Sequence, residues 1–92
     1  MTKKQRAILM VVNRGNPDGS FVDVDQIIER VPYPARKDAI KLSLRILEGH
    51  GCIRRLPLEK RRGQKRRVIA PTPKGMQVTA PALSASEIGV SL

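Results

Sequence analysis

Nine residues, Glu59–Arg67 (EKRRGQKRR), hold six bases around a single glycine. Ammonium and guanidinium groups at this density suit one kind of chemistry, the binding of a polyanion. A guanidinium fork matches phosphate oxygens two bonds at a time, and it matches guanine O6 and N7 in the same way. Short β-prone runs flank the tract, Cys52–Leu58 (CIRRLPL) and Arg66–Thr72 (RRVIAPT), and Gly63 supplies a turn between them. The tract therefore reads as a β-hairpin, with Lys60, Arg61, Arg62, Lys65, Arg66 and Arg67 at or near its tip. The alternation is imperfect. Val68 and Ile69 are adjacent, and Pro57 interrupts the first run, which suits an edge strand.

A second set of bases lies on a helix-forming segment over residues 35–49. Ile40, Leu44 and Leu47 fall on one face, with Arg36, Lys37, Lys41, Arg45 and Glu48 on the other. Pro34 suits the first turn of this helix, and Gly49 and Gly51 mark its end. Ala39, Leu42 and Ile46 widen the apolar surface. Leu42 can thus meet a thymine methyl, a second subunit or a protein partner.

The remaining segments must position these two elements. Thr2 with Gln5 three places on is a capping-box pattern, and it starts a first helix that runs to Gly15. The NPDG turn (Asn16–Gly19) follows. The stretch Ser20–Val22 is too short to stand alone as a strand, but it can pair as a third strand with a hairpin elsewhere. Asp23 and Gln26 form a second capping box, opening a helix whose apolar stripe is Val24, Ile27, Ile28 and Val31. Pro32 and Pro34 then break the chain. Residues 72–80 add a last helical turn. Residues 81–92 are small and polar without a strong period, and they read as a flexible C-terminal tail. The expected domain is residues 1–80.

The chain has 92 residues, enough for one small core and too few for a deep substrate pocket as well. Phe21 and Tyr33 are its only aromatics, so aliphatic side chains must fill the interior. The formal net charge is +10 and the sequence pI about 10.9, above the threshold of about 9 that flags nucleic-acid-binding domains. Residues 15–31 sum to −3 and residues 57–76 to +6, a segregation that suggests one positive face. Cys52 stands alone, which excludes a disulfide framework and a cysteine-rich metal site and fits a reducing compartment. No run is long enough to span a membrane, and no signal peptide is legible.

At LRILEGHGCIRRL the residues become recognisable. Leu44, Leu47, Glu48, Gly51, Ile53, Arg54 and Arg55 resemble the end of the recognition helix and the first wing strand of winged helix-turn-helix domains. Thr72–Gly75 (TPKG) resembles the segment that leaves the second wing strand in the MarR-like branch. The resemblance spans roughly residues 2–78. It implies an α+β, mainly α fold: a three-helix winged helix-turn-helix with a β-hairpin wing. MarR-type proteins dimerise through additional terminal helices. The expectation here is a minimal winged helix without them.

The resemblance implies sequence-specific binding of double-stranded DNA, with the chain acting as a small transcriptional regulator. The helix at 35–49 would enter the major groove. Lys37, Asp38 and Lys41 would be placed for the bases, with Arg36 and Arg45 flanking them. The wing would lie on the backbone or in the minor groove. Lys3, Lys4 and Arg6 would make weaker backbone contacts. Binding of structured RNA or the ribosome through the same wing stays open. So does a protein-interaction module, or a homodimer, built on the apolar helix surface.

No enzyme, cofactor or metal site is expected. His50 sits in a helix-ending turn, Cys52 reads as a small buried residue, and Tyr33 seals the turn between helices. Asp23 and Asp25 read as residues of a helix start, not as an acid–base pair. A DNA-binding role predicts a cytoplasmic protein, nucleoid-associated if bacterial.

Overall fold

The computed structural model describes residues 1–80; the sequence-predicted tail lies outside them. Helix α1 (Lys3–Arg14) is followed by a two-residue strand β1 (Val22–Asp23) and helix α2 (Val24–Arg30). Helix α3 (Lys37–Gly49) comes next, then strands β2 (Ile53–Arg61) and β3 (Gln64–Pro71) and a short helix α4 (Pro73–Thr79). The three strands form one antiparallel sheet in the order β1-β3-β2. This is the expected architecture with a fourth, two-turn helix added. No helix among the described residues is long and apolar enough to cross a membrane.

Local chemistry sets the first two helix starts. The Thr2 hydroxyl accepts from the Gln5 amide at 3.0 Å while the Gln5 side chain accepts from the Thr2 amide at 3.1 Å. Asp23 and Gln26 repeat the pattern at 3.0 and 3.1 Å. Each box satisfies two of the four amides that a helix start leaves orphaned. Strand β1 is the expected third strand, but it falls at Val22–Asp23 and shares only Val22 with the Ser20–Val22 stretch; Val22 lies opposite Ile69 and Asp23 opposite Val68.

Helix α3 starts two residues later than the sequence predicts, and Pro34 lies before it, not in its first turn. Residues 31–36 form an irregular connector that bends at 31–33. Val31 is buried, and Tyr33 and Ala35 pack against the core. Every second residue thus points inward, and that period of two forbids a helix here. The residue before a proline is also biased away from helical geometry. Arg36 ends up as an N-cap without a side-chain cap bond.

The interior is aliphatic, as expected from the near absence of aromatics. Ile8, Leu9 and Val12 of α1 meet Ile27 of α2, Ile40, Leu44 and Leu47 of α3, and Ile53 and Ile69 of the sheet. Burying each such side chain contributes about 1.5–3 kcal/mol. Val68, Ile69 and Ala70 are buried in succession on β3, the central strand, which β1 and β2 flank along both edges. That explains the adjacency of Val68 and Ile69. Pro57 has a cause too. Arg55 pairs with Ile69 and Leu58 with Arg67, so β2 holds one extra residue between those pairs. The bulge lies on an edge strand, the one place a proline fits a sheet.

Helix α4 closes the structure against α1. The Thr72 hydroxyl accepts from the Gly75 amide at 3.0 Å and donates to the Gly51 carbonyl at 2.7 Å. Pro73 occupies the first turn of α4. The Asn13 side-chain amide donates to the Gly75 carbonyl and the Thr79 hydroxyl, and the Arg6 guanidinium donates to the Val78 carbonyl. The TPKG segment therefore has a mechanical reason for each end: threonine caps and bridges, and glycine admits another backbone.

Candidate nucleic-acid interface

The hairpin turn is tighter than the composition suggests. Strand pairing continues to Arg61 opposite Gln64, leaving only Arg62 and Gly63 in the loop. Their φ angles are +52° and +83°, the two left-handed residues of a two-residue hairpin. Glycine takes this geometry freely, whereas arginine does so rarely. The rest of the basic tract is strand, with Lys60 and Arg61 on β2 and Lys65, Arg66 and Arg67 on β3.

Helix α3 and the wing face each other across a groove of about 310 Å³. Lys37, Lys41 and Arg45 line it from the helix, and Lys65, Arg66 and Arg67 from the strand. All six belong to the sequence-predicted set. Leu44 and Val24 lie at the groove's apolar base, and Arg55, Leu58 and Gln64 complete the wing side. Sequence reasoning missed Arg55, which pairs with Glu48 at 2.8 Å and so ties the end of α3 to the start of the wing. The IRR run was the signal that could have found it. Arg36 and Asp38 sit outside the groove at the helix start, 3.8 Å apart and almost fully exposed.

The remaining predicted cations turn away from the groove, and two of the groove's own are already partnered. Arg61 and Arg62 turn to the opposite side of the hairpin. Arg61 bonds Glu59 at 2.7 Å and the Phe21 carbonyl at 2.7 Å, and its side chain is 13% exposed. Arg62 donates to both oxygens of Asp23 at 3.1 and 3.0 Å. Arg66 pairs with Asp25 and donates to the Arg61 carbonyl. Arg67 donates to the Leu56 carbonyl at 2.8 Å, at the bulge. Lys4 lies over the Tyr33 ring at 5.2 Å. The basic wing is thus braced against the acidic start of α2, and part of its charge is spent inside the molecule. Lys60 and Lys65 are exposed and stand directly opposite each other in the hairpin. Like charges in that position repel, and an anion between them relieves the repulsion.

Asp23 is the hinge of this bracing. It is fully buried, caps α2 and faces both Arg61 and Arg62. Burial works to raise its carboxyl pKa, but the Gln26 amide and the two guanidiniums outweigh it, so the group is held below the ordinary carboxylate value.

The outward side of α3 is mixed. Leu42 is 56% exposed and Ile46 39% exposed beside Lys41 and Arg45. Among the described residues no group of three or more His, Cys, Asp or Glu could hold a metal. Cys52 is buried, and His50 is exposed in the turn after α3.

No described protein family matches the sequence, and no curated protein does. Solved structures do match. The chain is similar to the crystal structure of the S. aureus MepR–DNA complex at a TM-score of 0.68 and 20% identity, over 92% of this chain and 57% of that one. It therefore spans little more than half the length of that protein. AF1382 from Archaeoglobus fulgidus gives a TM-score of 0.71 at 22% identity, over 95% of this chain and 88% of that one. SSV1 F-93 gives 0.58 at 18%, over 94% and 89%. Together with the helix order, the three-stranded sheet and the hairpin, these likenesses establish the fold, which is that of a winged helix-turn-helix.

Proposed function

We propose that residues 1–80 form a sequence-specific double-stranded DNA-binding domain acting as a small transcriptional regulator. The observation that carries this reading is the groove where Lys37, Lys41 and Arg45 of the helix face Lys65, Arg66 and Arg67 of the wing. Cations from two rigid elements then meet one duplex together. The structure of MepR with DNA shares the fold and lends support, and Thr72–Gly75 favours the MarR-like branch. The role belongs in a compartment that holds DNA, the bacterial cytoplasm being the natural case.

Helix α3 lies in the major groove. Asp38 accepts from a cytosine amino group, Lys41 and Arg45 reach guanine edges or phosphates, and Arg36 holds the near backbone, while Lys37 stays on Asp25. On the wing, Lys60 and Lys65 meet phosphates directly. Arg61, Arg62 and Arg66 reach phosphate only by exchanging a carboxylate for it. Lys3 contributes at the edge, while Lys4 and Arg6 keep their internal partners.

Selection of genomic fragments at moderate salt tests the reading. With about six phosphates neutralised, log K should fall against log salt with a slope near −5. Lys41→Ala and Arg45→Ala should each cost roughly ten-fold and relax the sequence preference, whereas Lys60→Ala and Lys65→Ala should weaken all sequences alike. Double-stranded RNA of equal length should bind less well. Equal affinity for every duplex would leave only non-specific attraction and defeat the proposal.

The exposure of Leu42 and Ile46 favours a second reading, a protein partner seated on α3. Replacing thymine by uracil throughout the selected site separates the two, because it removes only methyl groups. Under the DNA reading the wild type loses about three- to ten-fold, and Leu42→Ala shows no such difference. Full binding of the uracil duplex by the wild type would leave Leu42 to a protein contact.

A further inference from the structure

Asp25 stands inside the positive groove, the one acid among the residues that line it. It is the second residue of α2, and its side chain is 28% exposed. One carboxylate oxygen lies 3.5 Å from Lys37 Nζ, at the start of α3. The other accepts from Arg66 Nη1, on the wing. The two cations come from opposite walls of the groove, and both converge on this single group. A duplex phosphate drawn into the groove would be held in the same way, by the same two groups. A carboxylate already occupies the position.

This placement has two consequences. The first is geometric. By holding Lys37 and Arg66 together, Asp25 fixes the distance between the helix wall and the wing wall. The second is electrostatic. Cations held by a carboxylate displace no counterions from an incoming backbone, so they add little to sequence-independent attraction. Phosphate contacts carry no sequence information directly. A regulator that engaged every phosphate with every cation would bind all duplexes well and its own site only slightly better.

Resting on the DNA-binding reading above, we propose that Asp25 is a specificity-determining positioning residue, an internal stand-in for phosphate that withholds Lys37 and Arg66 from non-specific DNA. Without it both cations turn to the backbone, and non-specific complexes gain more than the specific one, whose helix is already fixed by base contacts.

The test compares wild type, Asp25→Asn and Asp25→Glu, with Asp25→Ser as a second neutral variant should the asparagine chain fail to fold by circular dichroism. Each is measured on its selected duplex, on a scrambled duplex over a salt series, and on immobilised heparin. The neutral variants should bind scrambled DNA about ten-fold more tightly, steepen the salt slope by about 1–2, and lower the ratio of specific to scrambled affinity. They should also leave heparin at higher salt. Asp25→Glu should behave as the wild type. A merely structural role would lower both affinities together and leave the slope alone. Unchanged slope and ratio in a folded neutral variant overturns the proposal. The heparin measurement does not depend on DNA recognition. A wild type that selects no duplex defeats the DNA reading, and unchanged heparin elution then defeats the role of Asp25 on its own.

Discussion

Gly75→Ala is expected to cost about 3 kcal/mol or more of stability, enough to unfold a large share of a small domain. A β-carbon at position 75 would stand 2.1 Å from the Cys52 carbonyl oxygen and 3.0 Å from its carbon, with Leu9 Cδ1 at 3.2 Å. No rotamer relieves a clash with backbone. Cys52 cannot retreat, because its amide is bonded to the Leu47 carbonyl at 2.9 Å and Ile53 beside it pairs with Pro71. Helix α4 cannot retreat either, since Thr72 and Asn13 hold Gly75 by its amide and its carbonyl. The sign is what makes the result informative. Glycine to alanine inside a helix ordinarily stabilises by roughly 0.5–1 kcal/mol. Gly49→Ala supplies the control, for a β-carbon at that position in α3 meets nothing within 4 Å. Urea unfolding should therefore move in opposite directions for the two variants. A Gly75→Ala protein as stable as the wild type would mean that α4 does not press on the α3–β2 junction.

Features set by neighbours in the chain were legible in the sequence. Both capping boxes depend on residues three apart, and Thr2/Gln5 and Asp23/Gln26 form as read. The apolar stripes of α2 and α3 became core because their spacing permits nothing else. The start of α3 is not legible locally because residues distant in sequence decide it: Val31, Tyr33 and Ala35 enter the core from an irregular connector, and the prolines alone do not reveal that surface.

The candidate site divides along the same line. The side of α3 that carries Lys37, Lys41 and Arg45 follows from helical periodicity alone. The fate of the wing arginines does not. Arg62 lies 39 residues from Asp23 and Arg66 lies 41 from Asp25. No local rule joins them. The opposite charges of residues 15–31 and 57–76 were the available sign. By themselves they suggest one positive face. The structure adds a second use, in which the acidic segment receives part of the basic one and aims what remains.

That bracing makes Asp23→Ala the second large effect, an expected loss of about 3 kcal/mol. Removing the helix cap costs roughly 1 kcal/mol. Leaving the half-enclosed Arg61 and its neighbour Arg62 without the buried carboxylate supplies the rest, since breaking a buried pair is costly even where the intact pair contributes little. Asp23→Asn apportions the two, for asparagine caps a helix as well as aspartate does but carries no charge. It should lose about half as much. The pH dependence follows from the depressed carboxyl. Because the folded value lies below the ordinary aspartate value, the unfolded chain binds the proton more readily. The stabilisation is complete above the ordinary carboxylate range, and it fades as pH falls through the folded value. The urea midpoint of the wild type should thus drop more steeply than that of Asp23→Asn on acidification, and the two curves should converge. Parallel curves would mean that Asp23 gains nothing from its guanidiniums in the folded state. Arg62, whose side chain bonds only Asp23 among the described residues, would then be as accessible to phosphate as Lys60 and Lys65, and the wing would be held by strand pairing and by Arg66 on Asp25.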